Sequence, residues 1–130
     1  CAPAIAHRLR APADLARETL LRSYRADEWT RWFAAARVAP PLLHGPIFDS
    51  SITMAEAAAQ GAGVALLPPA LFGEALRSER LVQPFDTSVT LGGYWLTRLK
   101  SRPETEAMRA FAQWLQACIR EDQLTDGRVA

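Results

Sequence analysis

Ser50 and Ser51 stand where an apolar run, Ile47-Phe48, gives way through Asp49 to the alanine-rich stretch Ile52 to Gln60. Two hydroxyls between a strand and a helix can hold a ligand by hydrogen bonds, or attack one if a base lies in reach. The first-turn N–H groups of such a helix, added to the hydroxyls, make a neutral site for a carboxylate, a sugar oxygen or a peptide carbonyl. The simpler reading is that one serine caps the helix. Asp49 is an alternative cap, and its charge would oppose a free anion and favour a neutral or amine-bearing group. Tyr94, beside Gly92-Gly93, offers a ring and a hydroxyl suited to a residue that crosses between two lobes and closes on a ligand, or equally to an interfacial tyrosine in a core strand. Tyr24, with Arg22, Ser23 and Arg25, is a second place where a ligand carboxylate could be met, its alternative being a solvated loop.

Catalysis asks more of these groups. A nucleophilic serine needs a histidine base, yet His44 lies in a proline-rich connection and His7 in a surface-like helix, neither with an evident orienting carboxylate. Gly61-x-Gly63 lacks the third glycine and the preceding strand of a nucleotide loop. Glu74 and Asp86 form no recognisable acid–base pair. The residues therefore point to ligand sensing in a cleft, without chemistry on the ligand. Hydrolysis is the weaker alternative. Cys1 and Cys118 sit far apart, and with Met54, Met108 and two solitary histidines they form no metal-binding pattern. No metal and no cofactor are expected.

Composition sets the frame. With 49% hydrophobic residues in 130, the chain can fill one ordinary core, or one small lobe plus pieces of another. Fifteen Lys and Arg against 14 Asp and Glu leave a net charge of +1, so no bulk field draws it to DNA or to an anionic membrane. No apolar run has the length of a membrane span and no export signal is evident, which makes cytoplasmic residence the expectation. The start, Cys1-Ala2-Pro3, and the tail, Asp126 to Ala130, read as the ends of a piece of a longer protein, with a strand ending at Cys1.

The elements that would position the candidate groups alternate between strand and helix. Ala4 to Leu9 suits a short helix, Pro12 to Leu15 a turn with Leu15 inward, and Thr19 to Arg22 an extended run. Trp29, Trp32, Phe33 and Ala36 recur at helical spacing, with a stop required before Pro40-Pro41. Ile47 to Asp49 reads as the end of a strand, Ile52 to Gln60 as a helix closed at Gly61, and Val64 to Leu67 as a strand buried on both faces. Leu71, Phe72, Ala75 and Leu76 suit another helix, and Leu81-Val82 a strand stub. Tyr94 to Leu99 reads as a strand. Ser101 with Glu104 is a capping box opening a helix with Ala107, Phe111, Trp114 or Leu115, and Cys118 on one face down to about Ile119. This is the βα pattern of an open α/β layer, which puts ligand-facing loops at the carboxyl ends of strands. Asp49-Ser50-Ser51 is the most exposed such loop.

Several stretches together resemble the effector-binding region of LysR-type transcription regulators: Pro12-Ala13-Asp14-Leu15, Thr19 to Trp29, Phe48-Asp49-Ser50-Ser51, Ala57 to Pro69, and Tyr94 to Ser101. The Gly-x-Gly-Val-Ala-Leu-x-Pro portion is shared widely in the family. The Leu-Leu-Arg-Ser-Tyr-Arg-Ala-Asp-Glu-Trp and Tyr-Trp-Leu-Thr-Arg-Leu segments are more specific, and are similar to the branch that governs chromosomal β-lactamase. The likeness runs from Cys1 to about Ile119.

The resemblance implies an α/β effector domain of periplasmic-binding-protein type, two lobes with the ligand between them. Ala4 to about Phe85 would be most of the second lobe, about Val89 to Ile119 the strand and helix returning to an incomplete first lobe, and residues 120–130 a tail. It implies Ser51 and Tyr94 as ligand contacts, with further contacts outside this chain. It also implies muropeptide effectors, UDP-N-acetylmuramyl pentapeptide for repression and anhydro-muropeptides for activation. DNA would be met by a winged helix-turn-helix outside this chain, in a homo-oligomer. A solute-binding module is the alternative that would share the fold.

Overall fold

The computed structural model describes residues 1–25, 27–93 and 95–126, the last six as helix backbone. It forms two compact units, Cys1–Leu91 and Gly92–Ala130.

The first unit is built on three short parallel strands in the order β2-β1-β3. β1 (Leu20–Ser23) is central, β2 is Ile47–Phe48 and β3 is Val64–Ala65. Parallel neighbours require crossovers, supplied by α2 (Glu28–Ala35) between β1 and β2, and by α3 (Ser51–Ala59) between β2 and β3. Successive strand residues face opposite ways, so Leu20 and Leu21 enter different cores. Leu20 joins Leu15, Trp29, Trp32 and Phe33, the face covered by α2. Leu21 joins Met54, Ala55, Ala58 and Leu81, the face covered by α3. The result is a sheet with helices on both sides, an α/β layer as expected.

The helix that follows Asp27 forms at the predicted spacing, with Trp29, Trp32 and Phe33 buried. Trp29 stands edge-on to Trp32 at 6.0 Å, and Trp32 to Phe33 at 5.4 Å. Buried indole N–H groups need acceptors. Trp29 Nε1 donates to the Leu21 carbonyl at 2.9 Å and Trp32 Nε1 to the Thr87 carbonyl at 2.9 Å, so α2 is pinned to β1 and to the segment beyond Pro84. Before the prolines can end it, α2 stops at Arg37, in the left-handed region at φ 57°. The α3 terminus follows the expectation for Gly61. Gly61 N–H donates to Ala58 O at 3.1 Å and Ala62 N–H to Ala57 O at 3.0 Å, the paired closure that a left-handed residue permits.

Other elements differ from expectation. The first helix, α1, spans Pro3–Ala6, and a 3-10 helix covers Pro12–Arg17 with Leu15 buried. β3 is two residues long, and Leu66 and Leu67 are half-buried, since Pro68-Pro69 withholds the donors a longer ladder would use. The helix expected over Leu71 to Leu76 divides at Phe72 into a 3-10 turn, Pro69–Leu71, and α4, Gly73–Arg77. Leu81-Val82 is not a strand. Leu81 is buried, and Val82 exchanges backbone hydrogen bonds with Cys1 at 2.8 and 3.2 Å.

In the second unit, residues 95–99 form no strand. A strand needs a hydrogen-bonded neighbour, and none pairs with this run among the described residues. Tyr94 and residues 127–130 lie outside the described residues. Helix α5 (Glu106–Asp126) begins later than Ser101 and runs past Ile119. Thr105 caps it, its Oγ1 accepting from Met108 N–H at 3.2 Å, so the Ser101–Glu104 pair is not the capping box. Among the described residues no helix is long and apolar enough to cross a membrane.

Candidate functional site

Because the three strands run parallel, their carboxyl ends open on one edge of the sheet. The register Ser23↔Phe48 sends the loops after β1 and β2 off that edge side by side, which brings the Tyr24-Arg25 turn next to Asp49-Ser50-Ser51. Two stretches singled out separately in the sequence are thus neighbours.

Their roles divide. Ser50, extended at φ −124° and ψ 126°, is the cap of α3, and its Oγ accepts from Thr53 N–H at 3.5 Å. That is long for such a bond, so the hydroxyl is held weakly. Asp49 is not the cap. It is exposed and makes no ion pair among the described residues. Ser51, half-buried at the first helical position, has no hydrogen-bond partner for its hydroxyl among the described residues. First-turn N–H groups, a weakly held hydroxyl and an unused one therefore share this edge with one carboxylate. Ile52, 74% exposed, adds an apolar surface at the next position.

In the adjoining turn the polar groups are occupied. Ser23 Oγ donates to Glu28 Oε2 at 2.7 Å and accepts from Arg25 N–H at 3.0 Å. The Arg25 guanidinium lies 5.9 Å from the centre of the Tyr24 ring. Arg22 turns back under the sheet edge, where its Nε and Nη2 donate to the Gly45 carbonyl at 3.2 and 2.8 Å. Sequence reasoning missed this bond, because nothing in the sequence pairs an arginine with a carbonyl 23 residues on.

The arrangement suits binding. No histidine stands with the serines: His44 Nδ1 lies 2.8 Å from the Leu42 carbonyl, and His7 belongs to the exposed rim of α1. Among the described residues no cluster of His, Cys, Asp and Glu could hold a metal ion. A ligand here would meet N–H and O–H donors, one carboxylate and an isoleucine.

The family profile described as the LysR substrate binding domain matches residues 1–119. The chain belongs to that family. Among relatives of this LysR substrate-binding chain, the HTH-type transcriptional activator AmpR of Yersinia enterocolitica is 58% identical over 117 residues, 88% of this chain and 40% of that protein. AmpR of Pseudomonas aeruginosa is 56% identical over 117 residues, with the same coverage. Solved structures agree. The effector domain of AmpR from Pseudomonas aeruginosa superimposes with a TM-score of 0.86 at 53% identity, over 95% of this chain and 61% of that one. The AmpR effector-binding domain from Citrobacter freundii gives 0.87 at 50%, over 93% and 62%. The fold is the periplasmic-binding-protein-like α/β fold of the LysR family, and the chain spans about two fifths of the length of the regulators it matches.

Proposed function

We propose that this chain is part of the effector-binding region of a LysR-type regulator that senses peptidoglycan-derived muropeptides and controls β-lactamase expression. The observation that carries the reading is the edge at Asp49-Ser50-Ser51, where an unused Ser51 hydroxyl meets the first turn of α3. By the family resemblance, Tyr94 is the second ligand contact of this chain. One variant of the Citrobacter freundii domain carries threonine-to-valine, serine-to-alanine and tyrosine-to-phenylalanine substitutions. Its substituted serine and tyrosine are 43 positions apart, the separation of Ser51 and Tyr94 here, which supports the pairing. The substituted threonine lies farther before that serine than this chain extends before Ser51, which supports a cleft with a wall outside this chain.

On this reading Ala4 to about Phe85 is most of the second lobe, and about Val89 to Ile119 returns to the first lobe. A winged helix-turn-helix outside this chain meets the DNA, and the regulator works as a homo-oligomer in the cytoplasm. UDP-N-acetylmuramyl pentapeptide and anhydro-muropeptides carry sugar hydroxyls and amide groups that donors at a helix start can hold. Ile52 supplies contact for their methyl groups. The ligand is held and not transformed. Its preference for one lobe arrangement shifts the population of that arrangement and with it the state of the DNA-binding domains.

The test is genetic. In cells producing the complete regulator, Ser51→Ala and Tyr94→Phe should each blunt β-lactamase induction while the protein accumulates normally. Wild-type induction in both variants would exclude the assignment.

A further inference from the structure

We infer that Arg22 is a positioning residue for the Ser50-Ser51 edge, acting through the turn that enters β2; this rests on the reading of that edge as the ligand site. β2 contributes only two residues to the sheet, Ile47 opposite Arg22 and Phe48 opposite Ser23. So short a ladder holds its register weakly, and a slip of one residue would turn every side chain of the strand to the other face. Ser50 and Ser51 follow directly, so their placement is no better fixed than the register of β2.

Arg22 supplies what the ladder lacks. Its backbone N–H donates to the Pro46 carbonyl at 3.0 Å, while its Nε and Nη2 both donate to the Gly45 carbonyl. One residue of the central strand thus takes two consecutive carbonyls of the incoming turn. The turn is also pressed against β1. Gly45 has φ 142°, and a Cβ there would collide with the Leu20 carbonyl oxygen. Backbone contact on one side and a charged donor on the other leave the turn one seat. Arg22 is half-buried and has no carboxylate partner among the described residues, so the guanidinium is engaged by the carbonyl it clips. A charge-assisted bond of this kind is stronger than a neutral one, and lysine, a single-point donor on a flexible stem, cannot reproduce the fork.

The experiment uses the complete regulator carrying Arg22→Met, Arg22→Lys or Ser51→Ala, titrated with UDP-N-acetylmuramyl pentapeptide. Each protein is held well below its own thermal midpoint, and circular dichroism records the fold. The expected order of affinity is wild type, then Lys, then Met, with Met about tenfold weaker than wild type while remaining folded. Undiminished binding in both Arg22 variants beside a weakened Ser51→Ala overturns the role of Arg22 alone. Undiminished binding in Ser51→Ala overturns the site reading beneath it. Should Arg22→Met fail to fold, a folded Arg22→Lys protein with wild-type affinity overturns the inference.

Discussion

Single residues carry the edge proposed to bind ligand and some of its support. Ser51 and Asp49 differ from the polar residues around them in being unoccupied, whereas Ser23 and Arg22 are engaged within the fold. Asp14 shows how such engagement becomes a dependence on pH. Its carboxylate accepts from the backbone N–H groups of Ala11 and Arg10 at 2.9 and 2.8 Å, and these bonds, Ala11 first, hold its pKa below the ordinary 3.8. A carboxylate with a depressed folded pKa stabilises fully above its unfolded pKa, and the gain is lost as pH falls through the folded one. Asp14→Asn should therefore lower the urea midpoint at neutral pH, and the gap from wild type should narrow as pH falls below the ordinary 3.8. An equal gap above and below that value would count against the bonds. Among the candidate groups, the place of Ser51 at the start of α3 was legible because an apolar run gives way there to an alanine-rich one. That Ser50 and not Asp49 caps the helix was not, since each is an acceptable cap and only backbone angles decide.

Elements were legible where one local rule dominated. The apolar stripe of α2 and the glycine closure of α3 depend on spacing within a few residues, so both appear where expected. The strand edges depend on distant partners. Gly63, at φ 156°, brings β3 so close to β1 that a Cβ would meet the Thr19 carbonyl oxygen, a constraint invisible until Thr19 and Gly63 are side by side. Gly63→Ala should lower stability by more than about 1 kcal/mol in urea unfolding, through both the φ and the collision. The other face of the sheet has its own test. Phe33 is fully buried against both tryptophans, so Phe33→Ala should cost about 3–5 kcal/mol in the same measurement. A loss under 1 kcal/mol, on the order of a surface substitution, would contradict that packing. In the second unit the capping signal at Ser101 competed with Thr105, and Thr105 is the cap that forms. Two hydroxyl residues four apart cannot be ranked from sequence when both precede good helix formers.

At the scale of the whole molecule the family was legible. Stretches around β1, α3 and β3 carry the family pattern, and the match over residues 1–119 agrees. Phe111, Trp114 and Ile119 on α5 are 51%, 59% and 48% exposed, so the amphipathic pattern that announced the helix does not say what its apolar face meets. A ligand with equal affinity for two arrangements shifts neither, however tightly it binds. The proposed sensing therefore has to begin with a specific contact, and the proposed contact is Ser51. The most direct measurement is calorimetric titration of UDP-N-acetylmuramyl pentapeptide into the complete regulator and into its Ser51→Ala variant. Loss of one well-placed hydrogen bond predicts a dissociation constant raised about tenfold with the thermal midpoint unchanged, whereas identical dissociation constants and binding enthalpies would contradict the account.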